Sequence, residues 1–120
     1  MKINSFEDLI VWQKSHLLVL SIYKITRSFP NEKNFCLTSQ IRRSAISICA
    51  NIAEGYKKSR KDFLRFLDIS QGSLEETKYH LILSRDLSYC DQRQFNQLSD
   101  MANEISKMLT GLKRSLFQLK

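Results

Sequence analysis

The last quarter of the chain carries an apolar repeat with steps of three and four residues, and this repeat limits the fold more than any other feature. Its positions are Phe95, Leu98, Ala102, Ile105, Leu109, Leu112, Leu116 and Leu119. A period of 3.5 residues places a continuous apolar stripe along a helix and is typical of a seam packed like a coiled coil. We therefore expect this helix to bury its stripe against other helices.

Three further segments show a helical period and are separated by start and stop signals. The start signals are an N-cap residue with an acid or amide three positions later: Ser5 with Asp8 for the first helix, Ser59 with Asp62 for the third, and Asp91 with Gln94 for the fourth. The stop signals are Pro30 after the first helix and Gly55, as a C′ residue, after the second. The pattern predicts helices over about 6–28, 37–54, 60–89 and 92–118 in one domain spanning residues 1–120.

The composition excludes most alternatives to a helical fold. Three glycines and one proline in 120 residues leave little turn material for a sandwich or barrel of many short strands. Strand-like alternation of apolar and polar residues is also missing from the sequence. Short connections make consecutive helices antiparallel, so we predict an all-α, up-down-up-down four-helix bundle.

The sequence offers no recognisable active site. It contains no glycine-rich phosphate loop, no HExxH motif and no signature of a Ser-His-Asp triad. Bundles with di-iron centres use two Glu-x-x-His pairs, whereas this chain has only Glu76 and His80 with three residues between them. We expect no catalytic residue, no metal and no cofactor, and therefore no enzyme.

The cysteines and the N-terminal segment indicate the cellular compartment in which the protein is expected. Cys36, Cys49 and Cys90 are odd in number and form no Cys-x-x-Cys pair, as expected for free thiols in a reducing compartment. The N-terminal residues lack the apolar core of a signal peptide, and no apolar run is long enough to span a bilayer. We expect a cytoplasmic protein without a membrane partner.

The positive charge is concentrated at one predicted end of the bundle. Residues 57–65 hold five cations and one acid, residues 107–120 hold four cations and no acid, and the whole chain has a formal charge of +7. Such an end can contact several phosphates, and Tyr56 beside it can stack on an unpaired base, although a single tyrosine at such a position more often packs against the protein. A solvated pair of helix ends explains the same pattern, and the residues leave both interpretations open. The candidate nucleic-acid-binding residues are Lys57, Lys58, Arg60, Lys61, Arg65, Lys113 and Arg114.

A stripe of polar residues on helices two and three is a second candidate site. Glu76 shares its helix stripe with several apolar residues, so its carboxylate needs hydrogen-bond partners there or a raised pKa. A polar stripe of this kind can specify how helices or subunits pair. For the side chain of Arg42, the sequence leaves two interpretations open: it belongs to the basic patch, or it reaches across a subunit contact. The candidate structural stripe or subunit interface is Gln40, Arg42, Arg43, Asn51, Glu54, Ser73 and Glu76.

Several segments together resemble a known family. FEDLIVWQKSHLL, QIRRSAISICANIAEGYKKS and DFLRFLDISQGSLEE resemble the four-helix-bundle proteins encoded in intervening sequences of bacterial 23S rRNA genes. They are also similar to the accessory variability proteins of diversity-generating retroelements. The resemblance extends from Phe6 to about Leu116.

The resemblance implies an assembly and a function. It implies a homopentameric ring of small basic bundles that associates with nucleic acid, and a reverse transcriptase as partner if the chain belongs to a retroelement. Most members of the family have no established role. We therefore expect a non-enzymatic homo-oligomer that binds RNA or DNA through its basic end with little sequence preference, as an accessory or scaffold factor. The alternative is a protein-protein scaffold whose basic end docks an acidic partner protein.

Overall fold

The computed structural model describes residues 2–31 and 36–118, and within these ranges it contains four α-helices and no strands. The helices are α1 (Ile10–Thr26), α2 (Leu37–Tyr56), α3 (Arg60–Asp86) and α4 (Gln92–Gln118), and a 3₁₀ turn, Phe6–Asp8, precedes α1. Each helix packs against the next, and α4 returns to α1, whereas the backbones of the diagonal pairs do not come close in the described chain. The predicted all-helical four-helix bundle is confirmed.

The antiparallel arrangement of neighbouring helices follows from contacts between their side chains. Ser70, early in α3, donates from Oγ to the carbonyl oxygen of Ile48 in α2 at 2.8 Å, while His80, late in α3, lies beside Ser44, nearer the start of α2. Lys113, late in α4, pairs with Asp68 in the first half of α3, so the α2–α3 connection and the end of α4 lie at one end of the bundle. That end holds the predicted basic residues.

One apolar core extends along the bundle. The fully buried large apolar residues come from all four helices: Leu18, Ile22, Ile41, Ile48, Ile52, Leu67, Leu74, Leu81, Ile105 and Leu109. The seam predicted for α4 contributes Leu98, Ala102, Ile105 and Leu109 to it, and Leu119 lies outside the described residues. In the part of the chain that the structure describes, no helix is long and apolar enough to cross a membrane.

The start of the first helix differs from the predicted boundary near residue 6. Ser5 and Asp8 do form a capping box, but this box belongs to the 3₁₀ turn. Leu9 is extended, with φ −74° and ψ 126°, and it separates the turn from α1. A capping signal fixes where a helical turn starts, and it does not fix how far the helix continues.

The predicted role of Gly55 as a C′ residue was wrong. Helix α2 continues through Gly55 to Tyr56, and none of the described glycines has a positive φ. Gly55 is buried, and a Cβ placed on it would lie 2.6 Å from Cβ of Phe66 in α3. The glycine therefore serves a close approach of α2 and α3.

The third helix ends at Asp86, three residues before the predicted end near residue 89. Ser88 takes the left-handed conformation, with φ 62°. The backbone N–H of Ser88 donates to the carbonyl of Arg85 at 2.9 Å, and that of Tyr89 donates to the carbonyl of Ser84 at 2.8 Å. These two bonds form a Schellman motif, which ends the helix without a glycine.

Candidate nucleic-acid interface

The basic residues meet where α2 turns into α3. The connection between the two helices has only three residues, Lys57–Ser59, and it is held by a bond from the N–H of Lys58 to the carbonyl of Gly55 at 3.0 Å. Ser59 is the N-cap of α3, and its Oγ accepts from the N–H of Asp62 at 3.2 Å. The connection is therefore short and ordered, and it presents its lysines at a fixed end of the bundle.

We call the seven predicted nucleic-acid-binding residues the basic rim: Lys57, Lys58, Arg60, Lys61, Arg65, Lys113 and Arg114. Six of them are exposed, and Lys113 is half-buried. Lys113 joins α4 to α3, because its Nζ lies 3.0 Å from Oδ1 of Asp68. This ion pair places the end of α4 beside the first turns of α3, so the structure brings the two predicted clusters together.

Two members of the rim contact an aromatic ring. The guanidinium of Arg65 lies 4.7 Å from the ring centroid of Phe66, and Nζ of Lys58 lies 5.7 Å from it. Arg65 also lies 3.9 Å from a carboxylate oxygen of Asp62, with both side chains largely exposed. These exposed contacts are weak and leave both cations accessible to a phosphate.

The helix dipoles act differently on the two sides of the connection. Lys57 and Lys58 follow the C-terminus of α2, where a cation is favourable. Arg60 and Lys61 occupy the first turn of α3, where the partial positive charge of the helix end makes a cation unfavourable, and Asp62 is the acid of that turn. The dipole of α3 therefore does not account for the two cations of that turn.

Tyr56 is not available to stack on a base. The residue is half-buried and packs against the core, with its ring centroid 6.2 Å from that of Phe63 and the planes at 89°. The rim therefore offers cations for phosphates without a free aromatic platform from this tyrosine.

The predicted polar stripe separates into four places. Asn51 and Ser73 belong to a hydrogen-bonded seam between α2 and α3, where Ser47 Oγ lies 2.8 Å from Ser73 Oγ and accepts from Asn51 Nδ2 at 3.0 Å. Gln40, Arg43 and Glu76 line a polar groove of about 230 Å³ above this seam. The remaining two, Glu54 and Arg42, lie elsewhere: Glu54 is exposed, and Arg42 contacts α1.

The carboxylate of Glu76 is exposed, so the predicted need for buried hydrogen-bond partners does not arise. The sequence pattern placed it on one stripe with Phe66, Ile69, Leu83 and Leu87, of which Phe66 is buried, Leu83 is half-buried and the other two are exposed. Exposed apolar residues are common on helices, and the exposed Ile69 and Leu87 made this stripe look buried in the sequence.

The buried part of the seam includes Thr77, which the sequence pattern did not single out. Thr77 Oγ1 donates to Ser44 Oγ at 2.9 Å, and Ser44 Oγ lies 3.1 Å from Nδ1 of His80. Burial lowers the pKa of His80 below its ordinary value, and the charge of Glu76 opposes this shift in part. The signal that was available is the recurrence of Ser and Thr at helical spacing on both helices.

The cysteines and acidic residues form no metal centre in the described ranges. No group of three or more His, Cys, Asp or Glu side chains there is arranged to hold a metal ion. All three cysteines are free, and burial raises the pKa of the Cys49 thiol to about 12. That thiol lines an apolar groove of about 360 Å³ between α1 and α2, together with Trp12, Val19 and Ile46.

Comparisons with known proteins agree with the helical architecture. The model of the family described as 23S rRNA-intervening sequence protein matches residues 7–111. A crystal structure of a protein with unknown function from the S23 ribosomal protein family of Bacteroides thetaiotaomicron is similar to this chain, with a TM-score of 0.79 and 33% sequence identity. The match covers 87% of this chain and 98% of that one. Among curated proteins, none matches this sequence.

Proposed function

Because the chain belongs to the family of 23S rRNA-intervening sequence proteins, we propose that it is a non-enzymatic, homo-oligomeric bundle that binds RNA or DNA through the basic rim. In this proposal the binding has little sequence preference, and the protein acts as an accessory or scaffold factor. The name of the family concerns the rRNA gene region that encodes such proteins. The argument for binding therefore rests on the rim itself.

The observation that carries the proposal is the placement of cations at the connection between α2 and α3. Lys57, Lys58 and Lys61 form no ion pair with any carboxylate in the described chain. Lys61 also opposes the dipole of α3. A cation that reduces the stability of its own helix is understandable where it gains from an anionic ligand, and closely spaced phosphates supply several such contacts.

Low sequence preference is expected where cations contact mainly phosphates. Phosphate contacts fix the position of a nucleic acid but do not read bases. Base readout needs groups that reach base edges or aromatic rings that stack, and Tyr56 is packed against the core. The proposed affinity is therefore electrostatic and falls as salt rises.

Apolar surface outside the core supports self-association. The groove between α1 and α2 exposes Ile46, and a separate surface on α3 exposes Ile69, Tyr79 and Ile82, each at least 40% accessible. Contact between two unlike surfaces of identical chains is heterologous, and such contacts form a ring when the rotation between neighbouring subunits closes. A ring of five subunits, as the resemblance implies, would repeat the basic rim around one end.

A charge-matched pair of variants tests the proposal. K57Q/K58Q/K61Q removes three rim cations, and K24Q/R43Q/R93Q removes three exposed cations elsewhere, so both variants have the same net charge. Arg60 is kept in both because it makes further interactions within the chain. Fluorescence anisotropy would follow binding to labelled RNA and DNA strands of unrelated sequence, about 20 nucleotides long, at about 50 mM salt.

We expect native protein and the K24Q/R43Q/R93Q variant to bind all strands with similar affinity, and the rim variant to bind at least about tenfold more weakly. Equal weakening of both variants would mean that net charge, and not the rim, is responsible. If the native protein bound none of the strands, the proposal would fail, and docking of an acidic partner protein would become the function to pursue.

A further inference from the structure

A second polar cavity lies at the end of the bundle opposite the basic rim. It has a volume of about 220 Å³ and opens between the end of α1 and the start of α2. Its polar lining comes from Thr26, Arg27, Asn31, Thr38 and Arg42. We call this cavity the Arg42 pocket. It shares no residue with the rim.

The guanidinium of Arg42 is held in place by two contacts with α1. Its Nε donates to Oγ1 of Thr26 at 2.9 Å, and its Cζ lies 4.2 Å from the ring centroid of Tyr23. Thr26 is buried, and its hydroxyl donates to the carbonyl of Ile22 at 2.7 Å, which leaves the oxygen oriented to accept from Arg42. The planar group is thus fixed in advance of any ligand.

The contact that anchors α2 to α1 uses only a small part of the hydrogen-bond donors of Arg42. A guanidinium has five N–H donors, and the bond to Thr26 takes one of them. The two terminal nitrogens form a fork that matches two oxygens of a phosphate or carboxylate. Arg42 is half-buried, and in the described chain no carboxylate forms an ion pair with it.

The rest of the pocket adds positive potential. Arg27 lines the same cavity and likewise has no carboxylate partner in the described ranges. Thr38 lies in the first turn of α2, whose N-cap residue, Cys36, makes no side-chain cap. The N–H groups of an uncapped first turn favour an anion, in addition to the two guanidinium groups.

We propose that the Arg42 pocket binds one phosphate group, with the fork of Arg42 as its main contact and Arg27, Asn31 and Thr38 as further donors. Two arginines favour a dianionic phosphate over a carboxylate, which carries a single charge. The volume is below the roughly 300 Å³ from which pockets for whole small ligands begin. The pocket therefore takes the phosphate, and the remainder of a phosphorylated molecule lies outside.

Nuclear magnetic resonance of ¹⁵N-labelled protein tests the proposal with inorganic phosphate as the probe, at constant ionic strength. We expect saturable shifts of the Arg42 Nε–H and Thr38 amide signals, and weaker shifts with acetate. R42K keeps the charge and loses the fork, so phosphate affinity falls about tenfold. R43K is the matched control, because Arg43 lines the groove between α2 and α3 instead, and its affinity stays at the native value.

Two more variants separate binding from folding. T26V removes the acceptor that orients Arg42 and keeps all charges, and we expect it to weaken phosphate binding several-fold. R27Q changes an exposed side chain, so it leaves the fold intact even if R42K does not fold, and we expect it to weaken binding as well. Thermal unfolding of each variant provides the stability control.

The source of the phosphate is resolved by a further pair of probes. A trinucleotide with a 5′-phosphate is compared with the same trinucleotide bearing a 5′-hydroxyl. Tighter binding of the phosphorylated strand than of both the 5′-hydroxyl strand and inorganic phosphate assigns the pocket to a nucleic-acid end, and binding equal to that of inorganic phosphate assigns it to small phosphorylated compounds. Unsaturable shifts up to about 50 mM phosphate, or equal affinity in native protein, R42K and R27Q, would overturn the proposal.

Discussion

At the scale of single residues, His80 shows how burial controls a side chain's charge. It lies between α2 and α3 beside Ser44, and its burial lowers the pKa of the imidazole relative to the unfolded chain. Between the lowered pKa and the ordinary value of 6.5, the unfolded state binds more protons than the folded state. The free energy of unfolding therefore decreases as the pH falls through this interval.

We predict that the native protein loses more stability than an H80Q variant when the pH is lowered from about 7.5 to about 5.5. Glutamine keeps a hydrogen-bonding side chain and removes the titration. H16Q, which changes an exposed histidine, should behave like the native protein. Urea unfolding followed by circular dichroism at each pH makes the comparison. Parallel pH profiles for the native protein and H80Q would contradict this account.

A second prediction concerns Gly55, where α2 and α3 come closest. G55A would place a Cβ 2.6 Å from Cβ of Phe66 and 3.1 Å from Cδ1 of Phe63, so we expect it to cost about 1–3 kcal/mol of unfolding free energy. G111A is the control, because nothing lies within 4 Å of a Cβ there. Alanine at that helical site should stabilise the protein by about 0.5–1 kcal/mol. Stabilisation by both substitutions would show that the helices are not in close contact.

The residue scale also shows where sequence reasoning stops. A glycine after a helical pattern is usually a C′ residue, and here the decisive neighbour, Phe66, lies eleven positions further along the chain. The sequence left open whether Arg42 belongs to the basic patch or to a subunit contact, and it did not indicate the contact with Thr26 of α1. Contacts between helices decide such cases, and a single sequence does not contain them.

At the scale of elements, the end of α3 is held by a residue in an unfavourable conformation. Ser88 has φ 62°, where a non-glycine residue pays about 1–2 kcal/mol. We predict that S88G stabilises the protein by about 0.5–1 kcal/mol, since glycine's extra freedom in the unfolded chain offsets part of the gain. S115G, at an exposed position in the regular helix α4, should destabilise by a similar amount. Thermal unfolding of both variants is the test, and destabilisation by S88G would contradict the Schellman assignment.

The four helices could be predicted because their apolar periods are long and their start signals are local. The seam of α4 was predicted position by position, and four of its members, Leu98, Ala102, Ile105 and Leu109, are buried. Helix ends were less predictable. Leu9, which interrupts the first helical segment, has no side-chain feature that signals an extended backbone. The buried seam between α2 and α3 was missed in part, since Ser and Thr are equally common on exposed helix faces.

At the scale of the whole molecule, the proposed ring makes a prediction about two separate surfaces. I46E places a charge in the groove between α1 and α2, and Y79E places one on α3; both side chains are exposed, so the fold should persist. If unlike surfaces meet in the ring, either substitution alone should yield monomers. N103E, at an exposed position in α4, is the control. Size-exclusion chromatography with light scattering measures the mass.

A native protein that is monomeric at micromolar concentration would contradict the ring. An oligomer that survives both substitutions would place its interface elsewhere.

The position of the basic rim could be predicted from the sequence, because an up-down-up-down order places the α2–α3 connection and the end of α4 together. The ion pair of Lys113 with Asp68 could not be foreseen, since it depends on the rotation of α4 about its axis.

The most direct test of the central claim is the salt dependence of nucleic-acid binding by the native protein and by K57Q/K58Q/K61Q. Each phosphate contact contributes about −0.9 to the slope of log K against log salt on duplex DNA, and about −0.7 on single strands. The account predicts a steep slope for the native protein that becomes shallower by about 2–3 in the variant. Equal slopes for the two proteins would show that the basic rim does not contact phosphates.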